Sequence, residues 1–324
     1  MRAVRLDEAP CEHHVKISPS PVMRVPGLRD VVAAQAIPAD YFERVIAVGT
    51  QVDRIGDSPV YAFRRGFVRS LVLDTPEGLA VFDSFDADHA GALKAWLDRT
   101  FPGRPVRWLV YSHYHLDHTR GGTLLEPIEV IAHARCEGYL SDLGESATAT
   151  VAPITTTVSG STTLRFGTGS GAIEVHAHDM GHSHTDCLYA FHLPAQRTMF
   201  TADLGFVRML PPFGFPDWYY PGYMRALDRV AELDFELFVP THGELGGHRD
   251  LTDFADMMRD VRESVAAAFD RHGGPQVAAD GHTCRVILRE EIGGLRARYG
   301  SWHGFDSMML PLFFRHLGGV YLGF

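Results

Sequence analysis

The chain has 324 residues, of which 45% are hydrophobic and 22% charged, proportions of an ordinary globular protein that buries a sizeable core. The formal net charge of −10, with no compensating run of basic residues, argues against nucleic-acid binding, because such a surface repels backbone phosphates. The four cysteines form no CxxC pair, which argues against a disulfide framework or a cysteine-based zinc knuckle.

The amino-terminal residues lack the apolar core of a signal peptide, and no run of about 18 uncharged apolar residues predicts a membrane span. We therefore expect a cytoplasmic protein with no membrane or nucleic-acid partner. A small-molecule substrate is the expected partner. A homodimer is left open, because the aromatic C-terminal segment suits either a dimer contact or the cap of a pocket.

Turn-forming residues and the periodicity of hydrophobic residues predict the secondary-structure elements, which are described in chain order. Residues 1–65, rich in proline, are predicted to form an irregular lead-in packed on the core, with one short helix near 41–47. A hairpin follows, with strands at 67–75 and 79–85 around a Pro-Glu-Gly turn, and apolar spacing then predicts a helix over 90–101. Further strands are predicted at 106–113, 128–133, four places within 151–203 and 235–243, and further helices at 224–233 and 254–265.

This order of elements predicts the fold class. Strands dominate the first two thirds and helices recur between them, which is typical of an α/β sandwich of mixed sheets with outer helices. We assign residues 66–272 to one catalytic domain. Residues 273–324 are predicted to be a helical and aromatic extension of the same domain.

The segment YSHYHLDHTRGG, residues 111–122, concentrates metal-capable side chains at the end of a predicted strand. His113 and His115, two residues apart in an extended turn, point the same way and can share one ion. Asp117 and His118 lie further along and can bind a second ion. With one distant histidine for each ion and a carboxylate between them, two ions about 3.5–4 Å apart would activate water. Histidine and carboxylate ligands suit zinc and, less exclusively, iron or manganese.

Other ligand-type residues also lie at the ends of predicted strands. His182 and His184 directly precede one strand, while Asp203 and His242 each follow another. Catalytic groups commonly occupy such loops on a firm scaffold. By contrast, His133, His176, His178 and His192 lie on or beside strands and are predicted to be ordinary surface or core histidines.

The segments HYHLDH, GHSHTDCLYAFHLP, MFTADLG and VPTHGE occur in this order and resemble the successive motifs of the metallo-β-lactamase-fold superfamily over about residues 68–245. FDS at 82–84 is similar to the first motif, which implies a structural, hydrogen-bonding role for Asp83. The resemblance implies an αβ/βα sandwich of two mixed β-sheets with outer helices and a site at one edge. It also implies two metal sites, the first with His113, His115 and His184, the second with Asp117, His118 and His242, and both bridged by Asp203.

The choice of His184 over His182 follows from the same resemblance. The family's third motif places a His–Thr pair about ten residues ahead of a proline. His184, Thr185 and Pro194 fit that pattern, whereas His182 is followed by serine.

Together these features predict a metallo-hydrolase with two Zn²⁺ ions per chain, in which activated water attacks an ester, lactone, thioester or lactam carbonyl. Asp117 would orient the attacking water and take part in proton transfer to the leaving group. Iron or manganese remain alternatives to zinc. The alternative functions are a mononuclear-iron sulfur dioxygenase-like oxidoreductase of the same fold, a phosphodiesterase, which the acidic charge disfavours, and a non-catalytic binding module.

The segment 205–223 that follows Asp203 is rich in Pro, Gly, Phe and Tyr. A long loop directly after a ligand is a suitable place for a substrate wall or lid. Tyr219, Tyr220 and Tyr223 are therefore candidate substrate-binding residues, whose phenols would polarise a carbonyl.

Overall fold

The computed structural model describes residues 49–212, 215, 217–275 and 281–323, and of residues 281–284 it describes the backbone. The helix predicted near 41–47, and with it most of the predicted lead-in, lies outside the described residues.

The first sheet has seven strands among the described residues, and they lie side by side in chain order. The first four strands are antiparallel neighbours, and the last four are parallel. The predicted hairpin around the Pro-Glu-Gly turn is confirmed as the third and fourth strands. The strands are β1 (Thr50–Arg54), β2 (Val60–Arg65), β3 (Val68–Thr75), β4 (Gly78–Phe82), β5 (Val106–Val110), β6 (Glu129–His133) and β7 (Thr156–Val158).

The second sheet has six strands among the described residues, namely β8 (Thr162–Phe166), β9 (Ile173–Asp179), β10 (Tyr189–Leu193), β11 (Thr198–Thr201), β12 (Leu237–Pro240) and β13 (Gly246–Gly247). Their spatial order is β13-β12-β11-β10-β9-β8. All neighbours are antiparallel except β11 and β12, which are parallel. Both sheets are therefore mixed, as predicted.

The helices lie between and after these strands. They are α1 (Ala87–Thr100), α2 (Leu116–Thr119), α3 (Cys136–Leu143), α4 (Glu145–Thr148), α5 (Tyr220–Ala231), α6 (His248–Arg271), α7 (Gly281–Tyr299) and α8 (Phe305–Leu322). Short 3₁₀ turns cover Gly122–Leu125, Gly169–Gly171 and Pro194–Gln196. None of the helices in the described residues combines the length and the apolar character that a membrane span requires.

Three apolar clusters define the layers. Between the sheets, Phe82 of β4 meets Phe191 of β10 edge-on, with ring centroids 4.9 Å apart. On the outer face of the first sheet, α1 buries Leu93 and other apolar residues. On the outer face of the second sheet, Met199 packs in a cluster with residues of α5, α6, α7 and α8. The order helix–sheet–sheet–helix confirms the predicted αβ/βα sandwich.

The predicted irregular lead-in is wrong for residues 50–65, which form β1 and β2. In β2, Val60 and Ala62 face the core between the sheets, while Phe63 packs on the opposite face. Because both faces are buried, the strand lacks the polar–apolar alternation that marks a half-exposed strand. Its Arg64 is also buried, and the guanidinium donates to Gly66 O and to Glu244.

The C-terminal extension is helical, as predicted. Helices α7 and α8 pack against α6, and Leu312 and Phe313 of α8 are fully buried in the same cluster as α5. The extension therefore completes the outer helical layer of the second sheet.

Candidate metal centre

The predicted ligands meet at the edge where strands of both sheets end. His113 follows β5 of the first sheet, whereas Asp203 and His242 follow β11 and β12 of the second. Two backbone hydrogen bonds join the sheets at this edge, from Arg69 N–H to Thr241 O at 2.7 Å and from Gly243 N–H to Phe67 O at 3.1 Å. The site therefore rests on two strands of different sheets that are fixed to each other.

The first group consists of His113, His115, His184 and Asp203, whose ligand atoms all lie within 4.8 Å of one another. Nδ1 of His115 lies 3.1 Å from Nε2 of His184. Asp203 Oδ2 lies 3.2 Å from Nε2 of His184 and 3.6 Å from Nε2 of His113. Three imidazoles and one carboxylate thus converge on a common point.

The second group consists of Asp117, His118, Asp203 and His242, again with ligand atoms within 4.8 Å of one another. Nε2 of His118 lies 3.0 Å from Asp203 Oδ2 and 3.3 Å from Nε2 of His242. Nε2 of His242 lies 3.2 Å from Asp203 Oδ1. Asp203 belongs to both groups, so its carboxylate lies between them.

These side chains fit divalent cations. Nε2 of His113 is buried and has no hydrogen-bond partner among the described residues. Two pairs of imidazole nitrogens face each other at 3.1 and 3.3 Å, and their lone pairs repel unless a proton or a cation lies between them. Nitrogen and carboxylate ligands of this kind suit zinc and also iron or manganese. The clusters thus have the donor chemistry of a metal centre.

Asp83 contacts His118 of the second group on the ring edge that faces away from Asp203. Its carboxylate accepts hydrogen bonds from Ser112 N–H at 2.8 Å and Ser112 Oγ–H at 2.7 Å, and lies 3.0 Å from Nδ1 of His118. Bonding at Nδ1 turns Nε2 of His118 toward Asp203, as carboxylates do behind metal-binding histidines. Asp83 and Asp203 both have positive φ, of 58° and 52°, a conformation that aspartate tolerates better than most residues and that clusters at functional sites.

Asp217 is a functional candidate that the sequence analysis missed. Its Oδ2 lies 2.7 Å from Nε2 of His115, which leaves Nδ1 of that ring to face His184. Burial raises the pKa of Asp217, but the hydrogen bond to His115 and the charge of His184 outweigh burial and lower the pKa below its usual value. The only signal in the sequence was an acidic residue within an otherwise aromatic segment.

The electrostatics of the centre favour cations. Burial raises the pKa of Asp203, but His118, His242 and His184 outweigh it, so the pKa lies well below its usual value and the carboxylate is ionised at neutral pH. Burial lowers the pKa of His118, but Asp203 and Asp117 outweigh it and hold the pKa well above the usual value. The carboxylates therefore act as a concentrated negative charge that a divalent ion would neutralise.

The side chains of His182 and His184 lie in different places. His184 lies in the first group, whereas His182 stacks on Tyr219 with ring centroids 4.7 Å apart. The structure therefore brings together all seven predicted ligands, including His184, and leaves His182 outside.

The three candidate tyrosines lie in different surroundings. Tyr223 is fully buried, and its hydroxyl donates to Asp203 O at 3.0 Å and accepts from Gly205 N–H at 3.2 Å. Its phenol thus supports the backbone of Asp203 and, contrary to the prediction, is not available to a substrate. Tyr220 packs its ring against Trp218 and has Arg262 over its face. Substrate contacts of Tyr219 and Tyr220 stay predictions.

A cavity of about 560 Å³ opens on both groups. Its described walls include Phe67, Val68, Pro212 and Phe215, and they contain no lysine or arginine. The ring of Phe67 stacks on His242 at 4.7 Å between centroids, and the ring of Phe215 meets His184 edge-on at 5.4 Å. The space beside the centre is therefore walled by apolar and aromatic groups.

Comparison with protein families shows which superfamily the chain belongs to. The sequence model of the metallo-beta-lactamase superfamily matches residues 63–242, more than half of the chain and the whole span of the seven ligands. The chain belongs to the metallo-β-lactamase superfamily. The resemblance of its motifs to that superfamily is thereby confirmed.

Individual relatives of this superfamily member are distant. It is 27% identical over 196 residues to 2,4-dinitroanisole O-demethylase subunit alpha of Nocardioides sp. (strain JS1661), covering 56% of this chain and 55% of that protein, so it spans about half of that relative's length. Among solved structures, a metallo-beta-lactamase from Pontibacter korlensis matches with a TM-score of 0.50 and 20% identity over 63% of this chain and 95% of that one. A metallo-beta-lactamase from Hirschia baltica matches with a TM-score of 0.52 and 15% identity over 64% and 97%. At these identities the two structures show the shared fold.

Proposed function

We propose that this protein is a metal-dependent hydrolase with a dinuclear zinc site that activates water for attack on an ester, lactone, thioester or lactam carbonyl. The observation that carries the proposal is the position of Asp203 between two complete ligand groups. A purely structural zinc site is usually closed and holds one ion. Two groups that share a carboxylate and open on a cavity are instead suited to catalysis.

Residues of the chain would orient the metal ligands and transfer the proton that the reaction requires. Bound ions of this type lower the pKa of water to near 7 and polarise a carbonyl oxygen. Asp83 and Asp217 fix the orientations of His118 and His115, so the ligand nitrogens are preorganised. The side chain of Asp117 is 65% exposed and lies on the cavity wall, where it can accept a proton from water and return it to a leaving group.

The cavity walls support an uncharged substrate with an apolar or aromatic part. Phe67 and Phe215 offer ring faces and edges next to the ligands, and the described walls supply three carboxylates but no cationic side chain. An anionic substrate would gain no counter-charge from these walls. The absence of cationic side chains from the described walls also supports a small-molecule substrate over a nucleic acid, and it weakens the phosphodiesterase alternative.

A second candidate substrate class comes from the relative at 27% identity, whose name describes O-demethylation of 2,4-dinitroanisole. That compound is an uncharged aryl methyl ether, and its ring is of a kind that the aromatic walls of this cavity could hold. We therefore propose nitro-substituted aryl methyl ethers as the alternative to carbonyl substrates.

The test combines metal identification with a substrate panel. The purified protein would be analysed for zinc, iron and manganese and then assayed on lactones, thioesters, aryl esters, β-lactams, 2,4-dinitroanisole and bis-p-nitrophenyl phosphate. We expect zinc-dependent turnover of one uncharged class without oxygen consumption. Oxygen-dependent turnover by an iron-loaded protein would instead support the alternative of an iron-dependent oxidoreductase.

Asp117→Asn is the variant that tests the mechanism. It keeps the size of the side chain but removes the proton-accepting carboxylate, so kcat should fall by about 100-fold or more. Asp186→Asn is the matched control, because Asp186 lies on the rim of a neighbouring cavity and belongs to neither ligand group. Full turnover by Asp117→Asn with full metal content would overturn the proposed mechanism.

A further inference from the structure

Three histidines outside the candidate metal centre also come together. His176 and His178 lie two residues apart on β9, and His192 is the cross-strand partner of His176 on β10. Residues two apart on a strand point to the same face, so the three rings share one face of the second sheet. Their centroids are 6.0, 6.2 and 6.3 Å apart, and one nitrogen from each lies within 4.8 Å of the others.

This histidine triad, His176, His178 and His192, is separate from the metal centre. Its neighbours Val175, Ala177 and Phe191 face the core between the sheets, so the triad points the opposite way, toward the helical side. None of the three histidines contributes to either ligand group around Asp203. An ion held here would therefore be a third one.

His192 has a fixed tautomer. Its Nε2 lies 3.0 Å from the carbonyl oxygen of Asp234, which can only accept, so Nε2 carries the proton and donates it. The lone pair of the neutral ring is then on Nδ1. A backbone carbonyl behind the far ring nitrogen is the usual support of a metal-binding histidine. The ring is 7% exposed, so it is held firmly.

His178 has a nitrogen that lacks a partner. Its Nε2 is buried and makes no hydrogen bond with the described residues. Because no described group donates to this nitrogen, its lone pair can be offered to a metal ion.

We propose that His176, His178 and His192 bind one transition-metal ion through three imidazole nitrogens, at a site distinct from the dinuclear centre. An all-imidazole site suits Zn²⁺, Cu²⁺ or Ni²⁺ and disfavours Mg²⁺ and Ca²⁺, which prefer oxygen ligands. Three protein ligands leave a fourth position for water. The ion would cross-link β9 to β10 and, through His192, to the turn at Asp234.

Arg229 of α5 is a positive group beside this site. It donates to the backbone oxygen of Asp179, the residue that follows His178, at 2.9 Å. Because its charge opposes a cation at the triad, Arg229→Gln should bind the ion more tightly than the chain with Arg229 does. The comparison is made in chains that lack His184 and Asp203, so that the increase in affinity reports on the triad.

The decisive experiment counts metal ions in a background in which the dinuclear centre is disrupted. The double variant His184→Ala/Asp203→Ala would be dialysed against Zn²⁺ and analysed for bound zinc, with and without His178→Ala. We expect one tightly bound equivalent that His178→Ala removes, and His272→Ala as the matched control should keep it. His272 is half-buried like His178 but pairs with Glu290 away from the triad. Equal zinc content with and without His178 would overturn the site.

A second readout is the electron paramagnetic resonance spectrum of bound Cu²⁺. Cu²⁺ added to the double variant should give an electron paramagnetic resonance spectrum with hyperfine coupling to three imidazole nitrogens, and His176→Ala should reduce the number to two. Because this background lacks His184 and the shared carboxylate of Asp203, and because the readout depends on the triad histidines, failure of the hydrolase proposal would leave the result intact. A spectrum without nitrogen coupling would contradict the triad site.

Discussion

Asp217 Oδ2 lies 2.7 Å from Nε2 of His115, and the opposite nitrogen of that ring faces His184 at 3.1 Å. The carboxylate thus decides which nitrogen His115 presents to the first ligand group. Asp217→Asn should weaken metal binding at that group by about 10- to 100-fold, the usual effect of losing such a support. Competition with a chelating dye measures this affinity directly.

The control for Asp217→Asn is Asp186→Asn, which removes a carboxylate from the neighbouring cavity rim without touching His115. It should leave the affinity for both ions unchanged. If both variants weakened metal binding equally, the effect would be one of overall charge, and the orienting role of Asp217 would be wrong.

Tyr223 tests whether a phenol supports Asp203 or contacts a substrate. Tyr223→Phe leaves Asp203 O and Gly205 N–H without their buried hydrogen bonds. The free energy of unfolding should therefore fall by about 1–3 kcal/mol, measured by urea denaturation. Tyr220→Phe, which keeps the ring contacts of that residue, should change it much less. An unchanged stability of Tyr223→Phe together with a raised KM would restore the original substrate-binding prediction.

Gly222 sets how closely α5 approaches the loop that carries His184. A Cβ at this position would lie 1.7 Å from the carbonyl oxygen of His182, and Tyr219 N–H donates to Ser183 O at 2.8 Å in the same contact. Gly222→Ala should push this loop away, destabilise the fold by about 1–3 kcal/mol and lower metal affinity at the first group.

The matched control for Gly222→Ala is Gly91→Ala in α1, where nothing lies within 4 Å of an added Cβ. There alanine should stabilise the helix by up to about 1 kcal/mol and leave metal binding unchanged. Thermal unfolding and dye competition on both variants would show the contrast. Similar changes for the two variants would contradict the close approach of α5 to this loop.

His316 is predicted to make the fold sensitive to acid. Burial, with a smaller contribution from Arg262, lowers the pKa of His316 to about 3, and neither ring nitrogen has a hydrogen-bond partner among the described residues. In the unfolded chain the imidazole of His316 therefore binds a proton below about pH 6.5. In the native state it does not bind this proton until about pH 3. Stability from this group falls as the pH drops through that window, by about 1.4 kcal/mol per pH unit.

His316→Phe should remove this dependence and keep the ring packing against Trp218 and Tyr220. Denaturation curves at several pH values between 4 and 7 would show a shallower loss of stability on acidification than in the unmodified protein. A remaining slope is expected, because burial also lowers the pKa of His89 to about 3. Parallel pH profiles for the two proteins would contradict the account of His316.

The parts of the centre that the sequence predicted share one property, namely a local pattern. His113, Asp203 and His242 each follow a recognisable strand, and parallel or adjacent strands bring their ends to one edge. Asp83 was indicated by the resemblance of FDS at 82–84 to the family's first motif, and in the structure it directly follows β4. Strand ends and the order of the motifs together are enough to find such residues.

The parts that the sequence did not reveal depend on register and on loop paths. Asp217 reaches His115 across about a hundred positions, from a loop without periodicity. His192 meets His176 only because β9 and β10 pair in one particular register. The strand β2 was hidden because both of its faces are buried and because it contains a buried charged residue, Arg64. No local pattern marks any of these relationships.

The zinc content of Asp203→Ala beside that of the unmodified protein tests the shared-carboxylate centre most directly, with kcat measured on the best substrate from the panel. Asp203 lies in both ligand groups, so its loss should remove at least one zinc ion per chain and reduce kcat by about 100-fold or more. An Asp203→Ala protein that keeps the same number of zinc ions and the same kcat would contradict the dinuclear hydrolase.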